Sequence, residues 1–218
     1  MPYSGETAGA SVPQDLPPRE SGREPHLHTL FRTAKLLSAA GETLCRVRTL
    51  SPDGFTADTC LIPPAGESVA LLLCEGRNYS AKIAWAEAER FGARFLVNRP
   101  VSDMIGESSG AKHRRRAPRV VPKGGFATLR HAGRSVHASI VNISQTGMAV
   151  IAFDTLAPVA TRSSLRVEID GLEPMTGYLR WTAHDSAGIQ FERPLSFETL
   201  SHWLWADSFA TGALRRAL

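Results

Sequence analysis

Two short clusters of side chains in this chain are suited to chemistry. In Arg115-Arg116-Ala117-Pro118-Arg119, two arginines stand with three residues between them. A guanidinium is always charged and presents a planar fork of donors. It can grip a phosphate bidentately, meet the O6 and N7 edge of a guanine, or stack on the guanine face. Pro118 keeps the residue before it extended, so the two arginines sit on an arm that could close around a compact anion. The second cluster is Asn142-Ile143-Ser144-Gln145-Thr146-Gly147. It reads as a polar turn breaking an apolar strand. Asn142 donates and accepts through its amide, and Ser144 adds a hydroxyl. Gly147 permits a positive φ and close approach of a ligand to the backbone. Together the clusters suit a small phosphodiester that carries guanine, which makes a receptor rather than an enzyme. Taken singly, the arginines also suit a solvated linker or a nonspecific nucleic-acid arm, and the hexapeptide also suits a plain turn at a β-bend.

The elements that hold these clusters follow from an internal repeat. Ser51-Pro52-Asp53-Gly54 lies 93 residues before Ser144-Gln145-Thr146-Gly147, and Ala34-Lys35-Leu36 lies the same distance before Ala127-Thr128-Leu129. Further on the offset is 96: Trp85 with Trp181, Gly92 with Gly188, Phe95 with Phe191. A three-residue insertion before Leu165 accounts for the change. The chain therefore divides into a flexible tail over 1–25, a first module over 26–103 and a second over 104–218, with a linker by composition at Gly106–Ala111.

Each module reads as short strands. Ser139–Ile143 and Leu165–Ile169 alternate, Gly177–Trp181 and Gly188–Phe191 add two more, and Asp170-Gly171 and Glu75-Gly76 supply turns. The fold class expected is mainly β: two small antiparallel six-stranded barrels in tandem. The second ends in a C-terminal helix, capped by Ser196 and ended by Gly212, whose Phe197, Leu200, Trp203 and Leu204 plug one barrel mouth.

The order and spacing of the two clusters at the head of a small β module resemble the PilZ family, whose members are receptors for the bacterial second messenger cyclic di-GMP. Arg115 and Arg119 fill the family's RxxxR, and Asn142, Ser144 and Gly147 fill its [D/N]xSxxG. The resemblance covers the whole second module. It implies that Arg115 and Arg119 bind phosphates and guanine Hoogsteen edges, that Asn142 and Ser144 hydrogen-bond a guanine, and that Gly147 leaves room for it. Arg114 stands where the family's arginine favours a stacked, intercalated ligand dimer. The resemblance also implies a protein partner in motility, exopolysaccharide or biofilm control. The first module departs from the pattern: Gly22, His26 and Thr49 stand where Arg115, Arg119 and Asn142 do, and only Ser51 and Gly54 remain. It is expected to keep the barrel, lack the clamp and bind no cyclic di-GMP.

The totals bound the alternatives. With 218 residues, 43% of them hydrophobic and 21% charged, the chain can build one large or two small cores. A net charge of +4 is too mild for wholesale coating of nucleic acid, although a basic-arm nucleic-acid-binding protein on two barrels is the competing reading. The seven histidines show no HxH or HExxH grouping and no nucleophile–base spacing occurs, so neither a metal, a cofactor nor an enzyme is expected. Cys45, Cys60 and Cys74 match no zinc pattern and read as reduced, buried thiols. The absence of an apolar run long enough to span a bilayer points to a cytoplasmic protein. Trp85 and Trp181 share one repeat position and are expected in the barrel cores.

Overall fold

Period-two alternation puts every second side chain of a strand on one face, and a small barrel closes when those faces meet. The computed structural model, which describes residues 28–73, 78–105, 117–154 and 159–216, forms two such barrels. The first uses β1 (His28–Ser38), β2 (Gly41–Ser51), β3 (Gly54–Asp58), β4 (Ser68–Leu72), β5 (Asn78–Glu87) and β6 (Arg90–Phe95), followed by a short helix α1 (Val101–Ile105). The second uses β7 (Phe126–His131), β8 (Arg134–Ser144), β9 (Gly147–Ala152), β10 (Ser164–Ile169), β11 (Met175–Ala183) and β12 (Ser186–Phe191), followed by α2 (Phe197–Arg216). The strand orders β1-β2-β3-β6-β5-β4 and β7-β8-β9-β12-β11-β10 are the same order twice, and both barrels are closed and antiparallel. The tail 1–25, the Glu75-Gly76 turn, the linker Gly106–Ala111 and Cys74 lie outside the described residues.

Each barrel is plugged by the helix that follows it. Phe197, Leu200, Trp203 and Leu204 are buried in the second core. Ser196 Oγ accepts the Thr199 N–H at 2.9 Å as the cap, and Trp203 Nε1 donates to the Asp170 carbonyl at 2.8 Å. The helix continues through Gly212, where the sequence placed its end; an interior glycine costs only ~1 kcal/mol relative to alanine and need not stop a helix. The first barrel has a plug that the sequence reading lacked. Val101 and Met104 of α1 pack in its core, at the repeat positions of Phe197 and Leu200.

The two tryptophans are not in the cores. Trp85 is 37% exposed and Trp181 45%. Tyr79, Ala81 and Ile83 face inward in strict alternation, which predicts an inward Trp85. A bulge between Ile83 and Trp85 inserts one residue and reverses the phase, and the same shift occurs between Leu179 and Trp181. Each indole then lies across a glycine on the neighbouring strand: a Cβ at Gly92 or Gly188 would sit 2.3 or 2.0 Å from the indole nitrogen.

The barrels touch through the first barrel's β2. Leu44 is fully buried, and it packs in the core cluster of the second barrel rather than its own. Its carbonyl is satisfied by Thr59 Oγ1 at 2.9 Å. Beside it, Arg46 Nη2 donates to Glu198 Oε1 at 2.8 Å, and its guanidinium lies 4.5 Å from the centre of the Phe197 ring. The Glu198 carboxyl is held below its usual value, first by its own backbone N–H at the start of α2 and then by Arg46. That ion pair is largely exposed and contributes about 1 kcal/mol at most, so Leu44 dominates the contact.

Candidate ligand site at the barrel junction

The second sequence cluster folds as the β8–β9 hairpin. Ser144 pairs with Gly147 across a two-residue turn, Gln145-Thr146. Ser144 is 1% exposed, and its hydroxyl donates to the Gly147 carbonyl at 3.0 Å. Gln145 ties the turn to the segment before α2: its Nε2 donates to the Leu195 carbonyl at 3.1 Å, and its own carbonyl accepts the Leu195 N–H at 2.7 Å. Gly147 does not adopt a positive φ. Its need for glycine is steric and internal: a Cβ there would lie 2.3 Å from the Ile189 carbonyl oxygen on β12. The first barrel repeats this arrangement. Ser51 Oγ donates to the Gly54 carbonyl at 3.2 Å, and a Cβ at Gly54 would lie 2.2 Å from the Ala93 carbonyl oxygen. Serine and glycine therefore serve the hairpin in both copies.

Asn142 is different. The pairing shifts between Ile140 and Asn142, and Ile140 and Ile143 both point inward. The extra residue of this bulge lets two consecutive side chains, Val141 and Asn142, face outward. The arm is fastened directly beside it. Val120 pairs with Ile143 through two backbone hydrogen bonds of 2.9 Å, and its side chain is fully buried in the second core. That anchor places Arg119 over the bulge, where Arg119 Nη1 donates to Asn142 Oδ1 at 2.6 Å. Arg119 is exposed and Asn142 half-buried. The next arm residue reaches the other barrel: the Val121 N–H donates to Glu42 Oε2 at 2.7 Å, and Glu42 also pairs with Lys35 at 3.0 Å. The structure thus joins Arg119 with Asn142 from the two sequence clusters. Arg114 and Arg115 lie outside the described residues. Val120 and Glu42 were missed in the sequence; the apolar pair Val120-Val121 directly after the basic run is the one signal that could have marked the anchor.

The first barrel carries the same bulge with different side chains. Arg48 and Thr49 occupy the positions of Val141 and Asn142. Thr49 Oγ1 lies 2.7 Å from Thr56 Oγ1, and Asp58 takes both Arg48 and, at 3.0 Å, Arg90. Partial burial works to raise the Asp58 carboxyl, but the two guanidinium groups outweigh it and hold the pKa below the usual value. These groups satisfy one another.

Among the described residues no three His, Cys, Asp or Glu side chains come together, and no helix is long and apolar enough to cross a membrane. Burial pushes the Cys45 thiol well above its usual pKa; the half-buried Cys60 is also raised, by burial and then by Glu89 and Glu198, so both stay protonated at neutral pH.

Residues 113–204 match the family model of the PilZ domain. No curated protein sequence matches the chain. Among solved structures, the chain is similar to the PlzA protein of Borreliella burgdorferi in complex with c-di-GMP, at 14% identity over 83% of this chain and 88% of that one, with a TM-score of 0.29. It is similar to the inhibitor of motility MotI/DgrA of Bacillus subtilis at 11% identity, over 84% and 99%, TM-score 0.36. It is similar to YcgR of Escherichia coli in complex with c-di-GMP at 15% identity, over 86% and 87%, TM-score 0.34.

Proposed function

We propose, from the match of residues 113–204 to the PilZ domain, that the chain is a cyclic di-GMP receptor whose binding surface is the arm and the β8 bulge. The observation that carries this reading is the Arg119–Asn142 hydrogen bond, which brings an always-charged fork and an amide together on the outside of the second barrel. Arg114, Arg115 and Arg119 supply the cations and Asn142 the guanine contact; Ser144 and Gly147 contribute by holding the hairpin that presents Asn142. Titration of cyclic di-GMP into the full chain, with a single-stranded oligonucleotide as competitor, tests the reading. Saturable binding that the oligonucleotide does not displace is expected. Displacement by oligonucleotide with a steep salt slope would instead favour the basic-arm nucleic-acid reading.

The same surface touches both barrels, because the residue two after Arg119 is bonded to Glu42 of the first. We propose that ligand capture reorders this arm and changes the relative orientation of the barrels, and that a protein partner in motility, exopolysaccharide or biofilm control reads the change. Small-angle scattering with and without saturating cyclic di-GMP is expected to differ in radius of gyration. Superimposable curves would remove this part of the proposal.

A further inference from the structure

We propose that the outer face of the first barrel is a docking groove for an acidic, apolar segment of a protein partner. Cross-strand pairing lines up Leu37 on β1, Ala70 on β4 and Ser80 on β5, and the Leu96 N–H donates to the Ser80 carbonyl at 2.9 Å. This row borders a groove of about 350 Å³. The floor is small, from Ser68, Ala70 and Ser80, and the apolar walls are Leu37 and Leu96. Leu96 is 62% exposed and its neighbour Val97 61%. Such a floor between such walls accepts one bulky apolar side chain.

The adjacent row supplies the charge. Ser68 pairs with Lys82, and Lys82 stands directly opposite Arg94, both exposed on the outer face. Like charges in this position repel, and among the described residues neither has a carboxylate partner. Two acids beside the groove are already used: Glu67, next to Ser68, accepts the Ala39 N–H through its Oε1 at 2.6 Å, and Glu42, opposite Leu37, takes Lys35 and the Val121 N–H. A carboxylate brought by a partner beside its apolar anchor would meet two cations that no described carboxylate opposes. A second copy of this chain docking by the same face would set the two cationic pairs against each other.

The second barrel is the internal control. Arg130, Arg166 and Glu192 occupy the repeat positions of Leu37, Ala70 and Leu96. There Glu168 takes Arg130 and Arg166, each at 3.0 Å, and Tyr178 donates to Glu192 at 3.0 Å. That face is a satisfied, solvated network, so the barrel scaffold does not itself require an apolar groove at this place. The groove also adjoins the junction: Leu37 pairs across β1–β2 with Glu42, which holds the arm at Val121. The docking inference nevertheless stands independently of the cyclic di-GMP reading.

A random linear peptide display library selected on the full chain tests it. Enriched peptides are expected to place a leucine, phenylalanine or tryptophan beside Asp or Glu. Synthesised winners should bind the Ser80→Arg variant and the Lys82→Glu/Arg94→Glu variant about tenfold more weakly or worse. All three positions are exposed, so circular dichroism should match that of the parent chain. Cyclic di-GMP titrations should be unchanged in both variants, which separates failure here from failure of the receptor reading. The inference is overturned by no enrichment, by neutral or basic winners, or by equal affinity of the variants. It is also overturned by self-association that Ser80→Arg abolishes, or by binding to phosphatidylserine vesicles that the variants lose.

Discussion

Gly147→Ala is expected to destabilise the chain by about 3 kcal/mol or more, which for a protein of this size lowers the melting midpoint by roughly 6–12 °C. The added Cβ would stand 2.3 Å from the Ile189 carbonyl oxygen, and a backbone oxygen in a paired strand cannot swing aside as a side chain can. The β8–β9 hairpin or its pairing with β12 must deform. Gly54→Ala in the first barrel meets the same obstacle at 2.2 Å and is expected to cost as much. That pairing of variants discriminates two roles for the glycine. If Gly147 served only to leave room for a ligand, both substitutions would leave the melting midpoint of the free protein within about 2 °C of the parent. Thermal denaturation without ligand reads the difference.

Leu44→Ala is expected to cost about 2–5 kcal/mol, the range for removing a fully buried leucine, and to loosen the contact between the barrels. Leu44 projects from β2 of one barrel into the core of the other, so the cavity opens at the junction. The neighbouring Arg46–Glu198 pair is too exposed to compensate. Differential scanning calorimetry should show a lowered transition, and scattering a larger radius of gyration. A variant that melts and scatters like the parent would mean that Leu44 does not hold the barrels together.

Much of this architecture could be read from residues. The recurrence of Ser51 and Gly54 as Ser144 and Gly147 marks equivalent hairpins because the same clash with a facing carbonyl forbids a side chain in both. The closing helix followed from Phe197, Leu200, Trp203 and Leu204 on one face. The bulges could not be read, since period-two alternation runs unbroken through Ile83 to Trp85 and a one-residue insertion leaves no mark in composition. That is why the tryptophans were expected inside and lie outside. The plug α1 is too short to show a helical period. In Thr43-Leu44-Cys45 all three residues are buried, and no pattern within three residues says which barrel each one faces. In the site, the motif marks three positions but not their surroundings: Ser144 Oγ bonds the Gly147 carbonyl, Gly147 packs against the β12 backbone, and the bulge turns Asn142 outward, none of which spacing alone reveals.

The central claim is that the arm and Asn142 form one clamp for cyclic di-GMP. Isothermal titration of the ligand into the parent chain and into the Arg115→Ala/Arg119→Ala variant tests it most directly. Each lost hydrogen bond to a charged group costs about 1.5–3 kcal/mol, so binding to the parent and weakening by about 100-fold or more in the variant is predicted. Equal affinities in the two proteins, or no binding heat in the parent, would contradict the account.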